Sequence, residues 1–317
     1  MEGALLVVDG AVRRLGLEEA AAYRGPGFLW LHLEGREESD LTFLRAQQDI
    51  PDVAAGALAA TETRPRCDRI ENGAIINLRG PGALDPLDSD RLVSIRFWVT
   101  ENRVTSLSRR TLSATAEVCA KMEAGAIHDA GDVVAAFARA ISTQLDPEVA
   151  ALGDTLDDAE SDLEPSKLYR LRRVIAEVRS QAIGYRRFVA PDRDALRTLA
   201  ALDFEWLAED DRLHIIEAAD RFARMAEELE AVRERAALLH EQITDLRAEQ
   251  IDQRALYISI VAFIFLPLTF VTGLLGMNVE GIPYAHSPWS FWGVAGFCVV
   301  VGMVVLVWFR LRNWLQR

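Results

Sequence analysis

From Glu2 to about Arg109 short apolar runs alternate with Gly, Pro and Asp: Ala4–Val8, Phe28–Leu33, Ile75–Leu78 and Leu92–Thr100. Runs of this length, rich in branched and aromatic side chains and bounded by turn formers, predict strands with helical stretches between them. Leu92–Thr100, then Glu101-Asn102-Arg103, then Val104–Ser108 predicts a hairpin with a three-residue turn. Past about Leu112 the strand pattern stops. Spacing of three and four over Asp132–Leu145 and Pro147–Phe188 predicts amphipathic helices, with a break at Pro191 before a further helical run near Arg193 or Ala195. From about Asp211 to Leu275 there is no Gly or Pro before Pro267, and charge is dense on the polar face as far as Arg254. That predicts one helix of about 65 residues, on the order of 95 Å long, which is a stalk running into something else.

The stalk runs into a membrane. Ala255–Val279 and Gly281–Phe309 contain no charged residue, and each exceeds the roughly 20 residues needed to cross about 30 Å of hydrocarbon. The alternative, a pair of buried core helices, would need two such elements side by side at the end of a soluble protein. The predicted fold is an α/β cytoplasmic domain followed by a long stalk α-helix and two C-terminal transmembrane helices. Its parts are a cytoplasmic domain over 1–192 whose C-terminal part is helical, a stalk over 193–254 and a pore-lining span over 255–279. An outer loop over 280–290, a second span over 291–309 and a basic tail over 310–317 complete it. Arg247 and Arg254 precede the first span, Arg310, Arg312 and Arg317 follow the second, and the Gly276–Ser290 connection has no Lys or Arg. The positive-inside rule then puts both termini in the cytoplasm. Trp289 and Trp292 at one end, with Trp308 and Trp314 at the other, fit an interfacial belt.

Charge changes the picture of the soluble part. The chain carries a net −13, while Asp252–Arg317 holds four arginines against two acids, which leaves −15 on the first 251 residues. Such acidity argues against nucleic acid or anionic headgroups as partners and suits a reservoir for cations. An acidic block (Asp154–Glu164) precedes a basic block (Arg170–Arg187); solvated helix faces pairing with one another is the preferred reading of the two, over a nucleic-acid patch. Cys67, Cys119 and Cys298 have no C-x-x-C spacing and read as reduced thiols. The N-terminus lacks the basic region and long apolar run of a signal peptide, so insertion relies on the later spans. No nucleophile–base pair, phosphate loop or zinc-hydrolase motif occurs in the sequence, which argues against an enzyme and implies no cofactor.

Two helices cannot enclose an aqueous path, so conduction requires a ring of subunits. Along the first span Asp252, Ala255, Ser259, Ala262, Leu266, Thr269 and Gly273 form a mostly small or mildly polar stripe. It suits a narrow wet pore, and it equally suits close helix packing. At the end of the span stand Gly276, Met277 and Asn278: the glycine permits a tight exit, and a ring of Asn278 amides would present carbonyl dipoles to a hydrated cation. Glu280 and His286 in the outer loop are candidates for recruiting a cation, against the equal reading of an exposed acid and an interfacial histidine. On the stalk, Glu217 beside His214 and Glu241 beside His240 are candidate metal ligands between subunits, against the commoner reading of solvated helix positions. Zinc prefers His, Cys and carboxylate ligands, and the first span has none, so an ion crossing there stays largely hydrated.

At these residues the chain resembles the CorA-type superfamily of divalent-cation transporters, whose members share a Gly-Met-Asn signature between two C-terminal membrane helices. Glu62–Arg66, Arg96–Val104, Phe265–Leu275 and Glu280–Pro283 look like the zinc-transporting ZntB branch. The magnesium branch usually has Tyr before the signature and an acidic loop after it, where this chain has Leu275 and Gly281-Ile282-Pro283. The resemblance implies a homopentameric funnel in the cytoplasmic membrane, with stalk helices lining the pore and Asn278 at its outer mouth. The transported ion it implies is Zn²⁺, with a CorA-like Mg²⁺/Co²⁺ channel as the alternative. A membrane-anchored scaffold or sensor without transport would explain the spans but not the motif.

Overall fold

The computed structural model describes residues 3–35, 38–47, 49–61, 64–83, 91–164, 166–277, 282 and 287–311. It divides into two compact units, Met1–Glu241 and Gln242–Arg317. The first is built on a seven-stranded sheet of β1 (Gly3–Val8), β2 (Ala11–Leu15), β3 (Phe28–Leu33), β4 (Arg66–Ile70), β5 (Gly73–Pro81), β6 (Leu92–Thr100) and β7 (Arg103–Ser108). Its order is β2-β1-β3-β7-β6-β5-β4, and every pair is antiparallel except β3 with β7.

The four apolar runs all form strands. The two strands the apolar pattern does not show, β2 and β4, are the two edges, where one row of backbone groups faces outward and charged side chains discourage pairing with another chain. Asp9 and Gly10, both at positive φ, turn β1 into β2, the two-residue turn that a right-handed strand twist favours. Thr100 pairs with Arg103, so the β6–β7 turn has two residues, Glu101 and Asn102, rather than the three expected.

Period-two alternation sends neighbouring side chains to opposite faces, and both faces of β3 are covered. On one face Leu33 and Leu107 pack with Leu44 and Leu58 from α2 (Glu38–Arg45) and α3 (Asp52–Ala59). A small helix, α1 (Leu17–Ala22), places Ala20 against Leu29 and Leu31. On the other face Trp30 and Phe97 meet Phe137 edge-on at 5.5 and 5.0 Å. Phe137 belongs to α5 (Ala130–Ser161), which follows α4 (Ser113–Glu123) and precedes α6 (Leu168–Ala201). One buried polar group between these layers pairs three side chains. Trp30 Nε1 donates to Ser106 Oγ at 2.8 Å, and Ser106 Oγ shares a further hydrogen bond with His32 Nδ1, also 2.8 Å away. Burial holds His32 neutral, with its pKa lowered to about 4.

Among the described residues three prolines lie inside helices, Pro147 in α5, Pro191 in α6 and Pro267 in α7, and at Pro191 this is contrary to the break expected. A mid-helix proline forfeits one backbone bond and crowds the preceding turn. Here buried neighbours on either side, Leu145 and Val149 around the first, Val189 and Asp192 around the second, hold the helical path.

The long helix is α7 (Glu209–Leu275, 67 residues). Up to Ile243 one stripe of it is buried, through Ile215, Phe222, Leu229, Val232 and Leu239. Arg235 reaches Asp157 at 2.5 Å and Glu160 at 3.0 Å on α5, while Arg186 of α6 pairs with Glu230 at 3.0 Å. The acidic and basic blocks of the sequence therefore meet α7 as well as each other, their direct contact being Arg170 with Asp162 at 2.8 Å. The chain ends its described course in α8 (Ser290–Leu311).

Candidate cation pathway

Within the second unit, α7 beyond Gln242 and α8 are both long and apolar enough to cross a membrane. Ile258, Phe265, Leu266 and Phe270 stand more than half exposed on the isolated chain. Apolar surface of this extent calls for lipid or a protein partner. The side of α7 that α8 does cover is narrow. Ile260 is buried, and Leu256, Ile264, Leu268 and Val271 are half-buried, a stripe at helical spacing. Phe263 meets Phe309 of α8 edge-on, with ring centroids 6.0 Å apart.

The small and hydroxyl stripe falls elsewhere. Asp252, Ala255, Ser259, Ala262, Leu266, Thr269 and Gly273 are all exposed, so α8 does not use them for packing. Ser259 Oγ donates to Ala255 O at 2.8 Å and Thr269 Oγ1 to Phe265 O at 2.7 Å. With its proton committed to the helix, each hydroxyl turns only lone pairs outward. Waters bound to a cation point their hydrogens away from it, so acceptor lone pairs are the complement a hydrated ion needs. At the top, Gly276 N–H donates to Thr272 O at 2.9 Å and closes the helix, and Met277 is exposed. Asn278, Glu280 and His286 lie outside the described residues. Trp289, Trp292 and Trp308 are exposed near the two ends of α8, and Trp314 lies outside the described residues.

The stalk candidates do not converge in one chain. Glu217 and Glu241 are 24 residues apart on α7, about 36 Å at the helical rise. Glu217 accepts from Arg221 Nη2 at 2.8 Å and lies 3.9 Å from His214 Nδ1. Its carboxylate is already engaged with the Arg221 guanidinium of its own helix.

Two charged groupings arise only in three dimensions. Asp129, Asp132 and Asp211 bring ligand oxygens within 4.8 Å of one another where α5 and α7 begin, a donor set able to hold a divalent cation. Asp129 caps α5 by accepting from Asp132 N at 2.9 Å, and Asp211 accepts from Ala208 N at 3.2 Å. Burial, then the charges of Asp129 and Asp132, push Asp211 up to about 6. Gly131 makes the approach possible, since a Cβ there would sit 2.1 Å from Asp211 Oδ2. The second grouping is a cavity of about 640 Å³ lined by arginines, Arg96 and Arg109 among them. An Asp-x-x-Asp preceding a helix was a visible cap signal for the first; no local signal marked the second.

Known proteins corroborate this architecture. The zinc transport protein ZntB of Pectobacterium atrosepticum is 30% identical over 307 residues, covering 96% of this chain and 93% of that protein. The divalent cation transporter CmaX of Pseudomonas aeruginosa is 32% identical over 321 residues, covering 99% and 96%. The solved structure of full-length CmaX superposes with a TM-score of 0.78 over 99% of this chain and 98% of its own. Residues 25–311, which hold five of the seven strands, the long helix α7 and α8, match the family of the CorA-like Mg²⁺ transporter protein, and this chain belongs to that family.

Proposed function

We propose that this chain is one subunit of a homopentameric transporter that carries a hydrated divalent cation, Zn²⁺ in the first instance, across the cytoplasmic membrane. The observation that carries this reading is the exposed stripe of α7: α8 covers a different stripe, and Ser259 and Thr269 have committed their protons to the helix. Around a five-fold axis that stripe lines the path, from Asp252 at the inner end through Ala255, Ala262, Leu266 and Gly273. Gly276, Met277 and Asn278 form the outer mouth, and Glu280 and His286 draw cations to it. Both termini are cytoplasmic, residues 1–192 form the cytoplasmic domain, 193–254 the stalk, 255–279 and 291–309 the spans, 280–290 the outer loop and 310–317 the tail.

Between Ala255 and Met277 there is no His, Cys, Asp or Glu. A zinc ion stripped of its water would find none of its usual ligands there. Passage with the hydration shell intact needs only acceptors, from the two hydroxyls and the Asn278 carbonyl. Zinc is favoured because relatives at 30% identity over almost the whole chain are named zinc transport proteins. Magnesium is the second reading, because the family description names it and it keeps its water even more firmly.

Proteoliposome flux of Zn²⁺ and Mg²⁺, alongside native mass measurement in detergent, tests the proposal. Wild-type protein is expected to form five-subunit rings and to carry Zn²⁺, and Asn278→Ala rings to assemble with flux nearly abolished. A stable monomer, or an Asn278→Ala ring transporting at the wild-type rate, would overturn it.

A further inference from the structure

Six arginines, Arg64, Arg79, Arg96, Arg109, Arg110 and Arg187, line a single cavity of about 640 Å³ in the first unit. They come from β5, β6, α6 and the segments after α3 and β7. Among the described residues no carboxylate joins them in the lining, although the chain as a whole carries a net −13. Arg79 and Arg110 have further partners; the positive charge left open in this partly desolvated place is that of Arg96 and Arg109, and a fold tolerates it when something supplies the opposite charge.

The deepest member is Arg96, only 2% exposed on the interior strand β6. Its Nη2 reaches Thr61 O at 3.5 Å, while Nε and Nη1 are buried with no hydrogen-bond acceptor among the described residues. Arg109 donates through Nη2 to Ala59 O at 2.8 Å and leaves its buried Nε without an acceptor. A buried guanidinium with open donors is costly, each missing acceptor forfeiting a charge-assisted bond. Burial, followed by the charges of Arg109 and Arg79, lowers the Arg96 pKa to about 10. Arg79 lies with its guanidinium carbon 3.8 Å from the Phe188 ring centroid and donates to Leu92 O at 3.2 Å, so its plane is fixed. A buried acid, Asp192, accepts from the Arg79 backbone N–H at 3.0 Å. Burial raises its pKa well above the ordinary carboxylate value, against the opposing pull of the Arg79 backbone N–H and charge.

We propose that this cavity binds a small phosphate anion of the diphosphate class, either free pyrophosphate or the diphosphate of a nucleotide. Several positive charges converge, so the ligand is multiply charged. The open donors belong to planar forks that match the oxygen geometry of phosphate. The volume lies within the roughly 300–1,000 Å³ typical of small-molecule sites. A long polyanion such as nucleic acid is disfavoured by the acidic remainder of the protein, which repels it.

The full-length protein in detergent with EDTA, titrated calorimetrically with pyrophosphate, ADP and sulfate, tests this. Pyrophosphate or ADP is expected to bind once per chain, more tightly than sulfate, and to raise the unfolding midpoint. Arg187→Gln, at an exposed position, and Arg109→Gln are each expected to weaken binding by about tenfold or more, the scale of one charge-assisted contact. Equal affinity for pyrophosphate and ADP identifies the free diphosphate as ligand, and tighter ADP identifies a nucleotide. Absence of saturable binding of either at about 1 mM, or affinities unchanged in both variants, would overturn the proposal. Binding is read without flux, so the result is independent of the transport reading.

Discussion

Replacing Asp211 by Asn isolates an electrostatic cost built into the first unit where α5 and α7 begin. Asp211 is 4% exposed, and its carboxyl lies within 4.8 Å of those of Asp129 and Asp132. Burial and those two charges raise its pKa to about 6 in the folded chain, against about 3.9 unfolded. The folded state therefore holds the proton more tightly than the unfolded one. The contribution to stability is fully present below about pH 4, is lost as pH rises through about 6, and is absent above that. Roughly two pKa units correspond to about 3 kcal/mol. Asparagine has the same shape, keeps an oxygen for the Ala208 N–H at 3.2 Å, and cannot ionise. Asp211→Asn should match the wild type near pH 4 and exceed it by up to about 3 kcal/mol at pH 7.5, a midpoint rise of roughly 5–10 °C for a unit of this size. Thermal unfolding of the full-length protein in detergent, scanned from pH 4.5 to 7.5, reads the difference. A gap that does not change with pH, or a variant less stable at pH 7.5, would refute the reasoning.

Three further outcomes follow from the same geometry. Asp192→Ala should cost about 2 kcal/mol or more, since the buried Arg79 N–H loses its acceptor, whereas Asp192→Asn keeps an oxygen there and should be nearly neutral; thermal unfolding of both variants separates the cases. Thr269→Val preserves volume and helix but removes the outward lone pairs, so cation flux in proteoliposomes should fall severalfold with ring assembly intact, and an unchanged rate would remove Thr269 from the path. A cysteine at position 287 should react with a membrane-impermeant thiol reagent added outside and one at position 316 should not, and the reverse pattern would invert the proposed orientation.

How much of this was legible in the sequence depended on whether the physics was local. The two apolar helices could be read because a hydrocarbon environment imposes a composition on every residue of a span. The four apolar runs could be read as strands because β3, β5 and β6 are buried on both faces. Strands β2 and β4 were invisible to the same reasoning, since an edge strand such as Arg66-Cys67-Asp68-Arg69-Ile70 carries the charge that keeps other chains away. Asp9-Gly10 was the available turn signal. Pro191 was over-read, because the cost of a mid-helix proline is a few kcal/mol and the buried residues flanking it, Val189 and Asp192, offset it.

The candidate sites divide along the same line. Gly276, Met277 and Asn278 are adjacent, and the α7 stripe follows one helix, so spacing alone names them. The arginine cavity draws on positions from 64 to 187, and no window along the chain contains its charge. Arg186 and Arg187 make the point sharply: both belong to the basic block that spacing assigned to solvated faces. The first does pair on the surface, with Glu230, while its neighbour, one residue and about 100° further round α6, lines the cavity. Helical periodicity distinguishes the two directions but says nothing of what stands in each. That is fixed by β5 and β6, which deliver Arg79 and Arg96 to the same place, and a strand's register is a property of the whole sheet.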